Sequence, residues 1–503
     1  MALAKTKAVA LFGLNGTLID VEADISSNLP NFILVGLPDA SLSEATSRVR
    51  AACSNSGLAL PGRRITVNLS PAEVPKRGPS FDLSIALAVL AAAGVVSEQS
   101  VAGWLHIGEL GLDGSIRGVN GVLPSVLAAK RLGWRNVVVP LQNLAEAQSV
   151  SDVELRGFDH LSQVASFHGS TTPVREPRPP AAPSGSEASP TLCFSDVFGQ
   201  QEAIEAMVVA ATGGHHILMV GSPGSGKTML AERLPSILPE LTIEQAIETA
   251  AVESLSGLAR GVSQVPPFRA PHHNSSASAL IGGGQAVPRP GLISLAHNGV
   301  LFLDEAPEFQ QPALEALRQP LESGEVLISR SAGMAKFPAR FQLVMAANPC
   351  PCGFLWDSKK ECKCPSLARS RYLNKLSGPL LDRIDISLRV RQVPKAMQTI
   401  RGDSSANLRQ RVIDARKHGA SRLAKTPWSL NAQVPGTYLR RHWRPATGAI
   451  EKLDLALERG VISMRGYDRC IRVSYTLADL DQAPGPTDEH IARAMFLRGA
   501  DLG

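Results

Sequence analysis

Gly221-Ser-Pro-Gly-Ser-Gly-Lys-Thr228 follows the pattern G-x-x-x-x-G-K-[ST], and it joins the apolar run His216–Val220 to the helix-forming run Met229–Leu234. Glycines at these spacings let the backbone curl until successive N–H groups converge on a bound anion, and the following helix adds the positive end of its dipole. A chance match would rarely lie between a buried strand and a helix. The octapeptide predicts a phosphate-binding loop made of Gly221, Ser222, Pro223, Gly224, Ser225, Gly226, Lys227 and Thr228.

Polar side chains follow two more apolar runs. Asp304 and Glu305 come directly after Gly299–Leu303, and Asn348 comes directly after Phe341–Ala347. Parallel strands place their carboxyl ends at one edge of a sheet, so these side chains should meet the phosphate-binding loop at that edge. The sequence therefore predicts an α/β core with a parallel sheet.

Together these residues predict a site for ATP hydrolysis, with ATP and Mg²⁺ as cofactors. We expect Lys227 to reach the β- and γ-phosphates, and the hydroxyl of Thr228 and the carboxylate of Asp304 to hold Mg²⁺. Glu305 should polarise the attacking water, and Asn348 should orient that water against the γ-phosphate.

Two arginines are further candidates for stabilising charge at the phosphates. Arg383 lies in the segment 378–385 (GPLLDRID), and Arg465 lies in the segment 463–468 (SMRGYD). An arginine supplied across a subunit boundary can raise the rate by about 10³–10⁵, and Arg383 in that role requires a ring. Spacing alone leaves either arginine equally open to being an ordinary surface residue.

The length of 503 residues predicts two to four domains. The clearest boundary is the stretch 170–191, which has six prolines and no apolar periodicity and is typical of a flexible linker. Before it, strands are predicted at Phe32–Val35, Ile65–Leu69 and Asn136–Pro140, and helices at Asp39–Ser56 and Asp82–Ala93. The predicted domains are 1–168, a linker at 169–192, an ATPase core at 193–395 with a cysteine insertion at 350–364, and a helical lid at 396–503.

The positive charge is concentrated near the carboxyl end. The formal net charge is +6, and the segment from Arg401 onward holds 17 Lys+Arg against 11 Asp+Glu. A basic segment on an otherwise neutral chain suggests a polyanionic partner, although a solvated helical face would have the same composition. The sequence has no apolar run of the roughly 18–20 residues that span a bilayer and no secretory leader, so we expect a cytoplasmic protein without a membrane partner.

Four of the seven cysteines, Cys350, Cys352, Cys362 and Cys364, lie within fifteen positions. In a reducing compartment such a cluster favours a metal site over disulfides. Four thiolates at this spacing can close a tetrahedral Zn²⁺ site. Unliganded reduced thiols are the alternative.

The chain resembles the magnesium-chelatase-like AAA+ family, in its ComM/YifB branch. The resemblance covers nearly the whole chain. Its motifs, besides the phosphate-binding loop, are VFGQQ at 197–201, FRAPHH at 268–273, PRPGLISLAHNGVLFLDE at 288–305, NPCPCG at 348–353 and SGPLLDRID at 377–385.

This resemblance implies roles that spacing does not. Asn348 matches the sensor-1 position, Arg383 the arginine finger that acts in trans, and Arg465 the sensor-2 arginine of the lid. Family members form hexameric rings, and ComM-type proteins are implicated in DNA branch migration during natural transformation. The segment near the adenine would contain Val197, Gly199 and Gln200.

Two insertions fit a DNA motor of this family. One covers residues 255–290 and includes His272 and His273, and the other is a hairpin predicted at Glu325–Gln342. In related helicases both insertions project into the central pore. Cations for DNA phosphates would be Arg330, Lys336 and Arg340, unless these residues only solvate the hairpin.

The N-terminal domain resembles the α+β Lon-protease-like domain, which has the ribosomal protein S5 domain 2-like fold. Gly78-Pro-Ser80 matches the serine segment of the protease, and residues 128–140 match its next helix and strand. A Ser-Lys dyad needs a lysine that can take the serine proton. The matching segment 121–127 (GVLPSVL) has no lysine, and Lys130 comes several residues late. We therefore expect no peptidase activity.

The leading hypothesis is a hexameric, DNA-stimulated ATPase that acts on branched or single-stranded DNA. The first rival is the ATPase subunit of a magnesium chelatase, whose motor core is similar. The second rival is an AAA+ ATPase that remodels protein partners.

Overall fold

The computed structural model describes eight stretches of the chain. Residues 177–191 of the predicted linker, the predicted domain boundary at 395–396 and the start of the helix predicted at Asp39 lie outside them. The described residues are 2–36, 44–176, 192–258, 261–284, 288–330, 333–357, 360–393 and 402–498.

The N-terminal domain is a seven-stranded mixed sheet with helices on its buried face. Along the sheet the strand order is β3-β4-β2-β1-β5-β8-β9, and a short hairpin of β6 and β7 lies apart from it. The strands are β1 (Ala2–Phe12), β2 (Asn15–Ser26), β3 (Asn31–Val35), β4 (Arg64–Ser70), β5 (Leu105–His106), β6 (Glu109–Leu110), β7 (Ile116–Arg117), β8 (Asn136–Pro140) and β9 (Glu154–Phe158). The helices are α1 (Ala45–Asn55), α2 (Asp82–Ala92), α3 (Glu98–Ala102), α4 (Val122–Arg131), α5 (Leu144–Ala147) and α6 (Leu161–Phe167).

The predicted strands of this domain are confirmed, but the long pair β1 and β2 was not predicted. The inward residues of β1 include Ala4, Thr6 and Ala8, all buried and all small. Small residues give little hydrophobic contrast with the polar residues between them, so the period of two is weak. Helix α2 is buried along its whole length, and the carboxylate of Asp82 at its start accepts from Arg48 Nε at 2.7 Å.

The segment that corresponds to the lysine of the protease dyad, and Lys130 after it, have other contacts. Segment 121–127 forms the start of α4, where Ser125 Oγ donates to the carbonyl oxygen of Gly121 at 2.7 Å. The ammonium of Lys130 donates to Ser151 Oγ at 3.1 Å and to Asp152 Oδ2 at 3.2 Å. Lys130, in the last turn of α4, is thus anchored to the loop that precedes β9.

The core of the second domain is a five-stranded sheet in which every pairing is parallel. Its order is β11-β14-β17-β10-β18, and β10, β14 and β17, the three predicted strands, are buried at every residue. The prediction of a parallel sheet is confirmed. Strands β11 and β18 were not predicted, because β11 has only two residues and β18 (ISLR) lacks the continuous apolar run that marks β10 and β14. The bounds are β10 (Ile217–Val220), β11 (Phe268–Arg269), β12 (Gly282–Gly283), β13 (Arg289–Pro290), β14 (Val300–Leu303), β15 (Glu325–Arg330), β16 (Gly333–Pro338), β17 (Gln342–Ala347) and β18 (Ile386–Arg389).

Helices flank this sheet and link it to the N-terminal domain. Ala250 and Ala251 lie in one apolar cluster with Val122 and Leu123 of α4, so the two domains share a packed surface. The helices are α7 (Gln201–Gly213), α8 (Lys227–Ile237), α9 (Ile243–Leu255), α10 (Ala277–Ile281), α11 (Leu292–Leu295), α12 (Gln311–Glu315), α13 (Arg318–Ser323), α14 (Ser366–Asn374) and α15 (Gly378–Leu381).

Strands β15 and β16 form the predicted hairpin. Its inner face is buried at Val326, Ile328, Ala335 and Phe337. The three predicted DNA-contacting cations are exposed, but two of them have partners within the chain. Lys336 pairs with Glu325 at 2.7 Å, and Arg330 Nε donates to the carbonyl oxygen of Gly284 at 3.1 Å.

The secondary structure of the described residues 402–498 consists of helices, in the segment for which the sequence predicts a lid and which is called the lid below. A buried polar network fixes the lid to the sheet, because His215 contacts Asp385 Oδ2 at 2.8 Å and the hydroxyl of Thr476 at 2.7 Å. Within the described ranges, no helix combines the length and the apolarity that a bilayer crossing needs. The lid helices are α16 (Ser405–Leu423), α17 (Gly436–His442), α18 (Thr447–Glu458), α19 (Met464–Leu480) and α20 (Asp488–Arg498).

Candidate nucleotide site

The phosphate-binding loop runs from the end of β10 to the start of α8. Gly224 and Gly226 have φ angles of 73° and 89°, in the region that side chains other than glycine rarely adopt. A Cβ atom on Gly221 would lie 2.3 Å from the carbonyl oxygen of Val390, which follows β18. These three glycines therefore set the curl of the loop.

Lys227 is the first residue of α8, and its ammonium folds back into the loop. Its Nζ donates to the carbonyl oxygens of Gly221 at 2.7 Å and Ser222 at 3.1 Å, and Asn348 Oδ1 lies 3.4 Å away. Burial lowers the pKa of Lys227, and the negative charge of Asp304 opposes that effect. The loop, the end of β17 and the end of β14 thus meet around one ammonium group.

The acidic pair follows β14 directly. Asp304 Oδ2 accepts from the hydroxyl of Thr228 at 2.8 Å, and Asp304 Oδ1 accepts from the backbone N–H of Glu305 at 2.9 Å. A hydroxyl and a carboxylate in contact supply the oxygen ligands that Mg²⁺ prefers. Glu305 has a φ of 50°, a conformation that costs about 1–3 kcal/mol for a residue with a side chain and is typical of functional sites.

The segment expected near the adenine lies beside the loop. Val197 is fully buried, and Gly199 has a φ of 63°. Gln200 Nε2 donates to the carbonyl oxygen of Ser225 at 2.5 Å. The other amide atom, Gln200 Oε1, is buried and has no hydrogen-bond partner among the described residues. A buried acceptor of this kind is open to a ligand.

Two residues at the site were not assigned a role from the sequence. His273 Nδ1 lies 3.7 Å from Glu305 Oε2, and the rings of His272 and His273 are 4.1 Å apart. Burial raises the pKa of the Tyr372 phenol, and a hydrogen bond with the backbone of Asn348 opposes that shift. The two adjacent histidines are visible in the sequence. However, no motif spacing relates His273 to Glu305, or Tyr372 to Asn348.

The two candidate arginines lie together and away from the loop. Arg383 pairs with Glu322, and Arg465, whose side chain is 70% exposed, pairs with Asp382. Burial lowers the pKa of Arg383, and the charges of Arg318 and Arg465 add to that effect. Over the ranges that the structure covers, neither Arg383 nor Arg465 makes a hydrogen bond or ion pair with the phosphate-binding loop.

The four cysteines of the insertion converge, and their Sγ atoms all lie within 4.8 Å of one another. Cys350 Sγ is 3.4 Å from that of Cys352 and 3.6 Å from that of Cys362, and the last two are 3.7 Å apart. Four sulfurs at about 2.3 Å from a tetrahedral Zn²⁺ would be about 3.8 Å apart. A hydrogen bond from the backbone N–H of Phe354 lowers the pKa of Cys352 to about 6. The residues fit a metal ion of this type.

Comparisons with known proteins agree with this geometry. Residues 193–398 match the family model described as magnesium chelatase, subunit ChlI. Residues 21–143 match the model for subunit ChlI of Mg-chelatase, and residues 402–498 match that for the subunit's C-terminal region.

Two relatives match this chain over nearly its full length, and a third matches part of it. Competence protein ComM of Haemophilus influenzae is 41% identical over 509 residues, which cover 99% of this chain and 98% of that protein. Uncharacterized protein YifB of Escherichia coli is 39% identical over 506 residues, 100% and 98% of the two chains. The magnesium-chelatase 38 kDa subunit of Rhodobacter capsulatus is 27% identical over 197 residues, 36% of this chain and 56% of that protein. The chain belongs to the magnesium-chelatase-like AAA+ ATPase family, in the group that contains ComM and YifB.

Proposed function

We propose that this chain is the subunit of a ring-shaped, Mg²⁺-dependent ATPase that moves on DNA and drives branch migration or strand separation. The observation that carries the hydrolytic part is the convergence of Lys227, Asn348 and the Thr228–Asp304 pair at one edge of the parallel sheet. The DNA part is supported by the full-length similarity to a protein named for competence and by the basic lid.

The residues at the sheet edge divide the work of hydrolysis. Thr228 and Asp304 would hold Mg²⁺, which neutralises charge on the phosphates when bound. Lys227 leaves its two carbonyl partners to donate to the β- and γ-phosphates. Glu305 orients the attacking water and takes its proton, and Asn348 holds that water from the opposite side.

The position of the arginines supports the proposed ring. Arg383, Arg465 and Arg318 form an arginine patch, and in the described parts none of the three makes a hydrogen bond or ion pair with the phosphate-binding loop of its own chain. In a ring, the patch of one subunit faces the phosphates held by the next. A closed ring in which each interface completes a catalytic site satisfies this requirement.

DNA contacts are sequence-independent in this proposal, because they come from cations that lack an acidic partner in the described lid. Arg441 is exposed and unpaired there, whereas Arg444 pairs with Asp454 at 2.9 Å and Arg440 pairs with Asp468. Unpaired cations release counterions from DNA most effectively, so binding should weaken steeply with salt. Other exposed and unpaired lid cations are Lys425, Lys452 and Arg459.

The cysteine cluster holds a structural Zn²⁺ in this proposal. Three of the Sγ atoms are 3.4–3.7 Å apart and the fourth lies within 4.8 Å of them, which fits a tetrahedral thiolate site, and four protein ligands leave no position for substrate. The metal therefore braces its segment. Metal analysis of protein purified without added zinc tests this assignment, with one Zn²⁺ expected for each chain.

The test of the motor is the ATPase rate with Mg²⁺, measured alone and with single-stranded, duplex or four-way-junction DNA. We expect stimulation by DNA that falls with salt and is lost in Glu305→Gln. Arg441→Gln should weaken DNA binding and reduce the slope of log affinity against log salt by about one, whereas Arg444→Gln, whose charge is already paired, should change it less. ATP hydrolysis that ignores every DNA would refute the motor and favour a protein-remodelling ATPase.

A magnesium chelatase subunit is the second candidate, because all three family models are named for that enzyme. The R. capsulatus subunit matches only 36% of this chain. ATP hydrolysis stimulated by the other chelatase subunits and a porphyrin, and not by DNA, would favour this candidate.

A further inference from the structure

The segment between the two cysteine pairs lies against the phosphate-binding loop. A Cβ atom on Gly353 would be 2.5 Å from Pro223 Cδ, so backbone and ring are in direct contact. Gly353 also has a φ of 80°, and its N–H donates to the carbonyl oxygen of Cys350 at 2.9 Å. The turn that begins at Cys350 therefore ends against Pro223 of the phosphate-binding loop.

A second set of contacts ties the same segment to the loop and to the end of β18. Gln392 Nε2 donates to the carbonyl oxygen of Pro223 at 3.3 Å and to Asp357 Oδ2 at 3.4 Å. The guanidinium of Arg389 lies 4.2 Å from the centroid of the Trp356 ring. A cavity of about 160 Å³ lies between these contacts. The cysteine segment is therefore held against the loop by a few discrete contacts, with room for the segment to move.

The cysteine segment also connects to the sensor position. Asn348 precedes Cys350 by two residues, and Cys350 is fully buried. Tyr372, in the helix that follows the last cysteine, lies close to the backbone of Asn348. The cluster thus lies between two chain segments that both reach the nucleotide site.

We infer that metal loading of the cysteine cluster positions Pro223 through Gly353 and Gln392, and so sets the affinity of the phosphate-binding loop for ATP. This inference rests on the zinc site proposed above. The loop binds phosphate with backbone N–H groups whose directions depend on its curl. When the cysteines are held together, residues 350–357 keep that curl, and when they separate, the contact with Pro223 is lost.

The experiment measures binding of a fluorescent ATP analogue with Mg²⁺ to the full-length protein, in parallel with its zinc content. We expect affinity to fall when zinc is removed by a zinc-selective chelator and to return when Zn²⁺ is added back. Gly353→Ala forces a side chain into Pro223. Overpacking of this kind typically changes the equilibrium constant for folding by between about fivefold and a hundredfold. Because the strain here falls on the phosphate-binding loop, we expect the dissociation constant for the nucleotide to rise within that range while zinc content stays unchanged.

Two further variants keep the inference falsifiable if Gly353→Ala folds poorly. Gln392→Leu removes only the hydrogen bonds to Pro223 and Asp357 and should also weaken ATP binding. Gly94→Ala is the matched control, because Gly94 has a φ of 73° and open space where a Cβ would lie. Zinc loss that lowers the melting temperature but leaves ATP affinity unchanged would overturn the inference, as would unchanged affinity in both Gly353→Ala and Gln392→Leu. Protein that contains no metal would instead refute the zinc site, and the two variants would still decide whether the contact matters.

Discussion

Exchanging Arg383 for alanine should abolish ATP hydrolysis by damaging the site of a neighbouring subunit. In the isolated chain the guanidinium of Arg383 pairs with Glu322, whose side chain is 64% exposed. An ion pair with so much solvent around it contributes only about 0.2–1 kcal/mol, so a phosphate group of the next subunit can replace Glu322 at small cost. An arginine that acts in trans contributes about 10³–10⁵ in rate, which is several times more in free energy. Arg383→Ala should therefore be nearly inactive and yet fold normally and bind ATP.

Mixed rings separate a contribution in trans from one in cis. Lys227→Ala destroys the site of its own subunit but leaves its arginine intact, and Arg383→Ala does the reverse. Random mixing in equal amounts creates intact interfaces with a probability of about one quarter, so a mixture of two inactive proteins should recover measurable ATPase activity. A mixture of Lys227→Ala with Glu305→Gln is the control. Each change damages the nucleotide site of the subunit that carries it, so every site in the mixed ring is damaged and no intact interface can form.

Failure to recover activity, with ring formation confirmed by light scattering, would refute a trans role for Arg383. A chain that stays monomeric and hydrolyses ATP at full rate would refute the ring itself. Arg465→Ala in the same assay shows whether the second arginine of the patch also acts across the boundary.

Three other perturbations test particular contacts. Asp479→Asn removes the charge that accepts from Arg422 at 2.6 and 2.7 Å, and since Asp479 is 2% exposed, we expect a loss of about 3–5 kcal/mol in urea unfolding. Burial lowers the pKa of His168 from 6.5 to about 4, so the folded state binds this proton less readily than the unfolded chain does, and stability should fall as pH drops from 6.5 toward 4. Thermal melts should show a smaller fall in this window for His168→Gln, and an equal fall would contradict this cause. His273→Ala removes the group 3.7 Å from the Glu305 carboxylate, and because both are partly exposed, the ATPase rate without DNA should rise by no more than about fivefold.

The chemistry of the nucleotide site was predictable from the sequence because it depends on local patterns. The glycines of the loop must be near one another in the chain to curl it, and the acids and Asn348 stand directly after strands long enough to be seen. A motif of this kind fixes both the residue types and the element on which each one lies. The parallel sheet followed from the same three strands.

Contacts between distant segments were not predictable. His273 and Tyr372 reach the site from an insertion and from a helix after the cysteines, and no spacing in the chain relates them to Glu305 or Asn348. The contact between Gly353 and Pro223 joins residues 130 positions apart in the sequence and depends only on how the insertion folds back. Such contacts are set by tertiary packing, which overrides local preference.

The packing of the N-terminal domain bears on its role in the proposed motor. Its β1–β2 turn contacts the hairpin, since Phe12 Cε1 lies 3.5 Å from the point that a Cβ of Gly333 would take, and Gly13 approaches Ala335. Its helix α4 packs on α9, the helix before the first insertion. The N-terminal domain therefore braces the hairpin and the helix that precedes the first insertion, next to the two regions that the sequence analysis associates with DNA. A scaffold needs extended apolar contact with the elements that it holds, and the contacts of this domain are of that kind. They give the domain a structural role in the proposed motor.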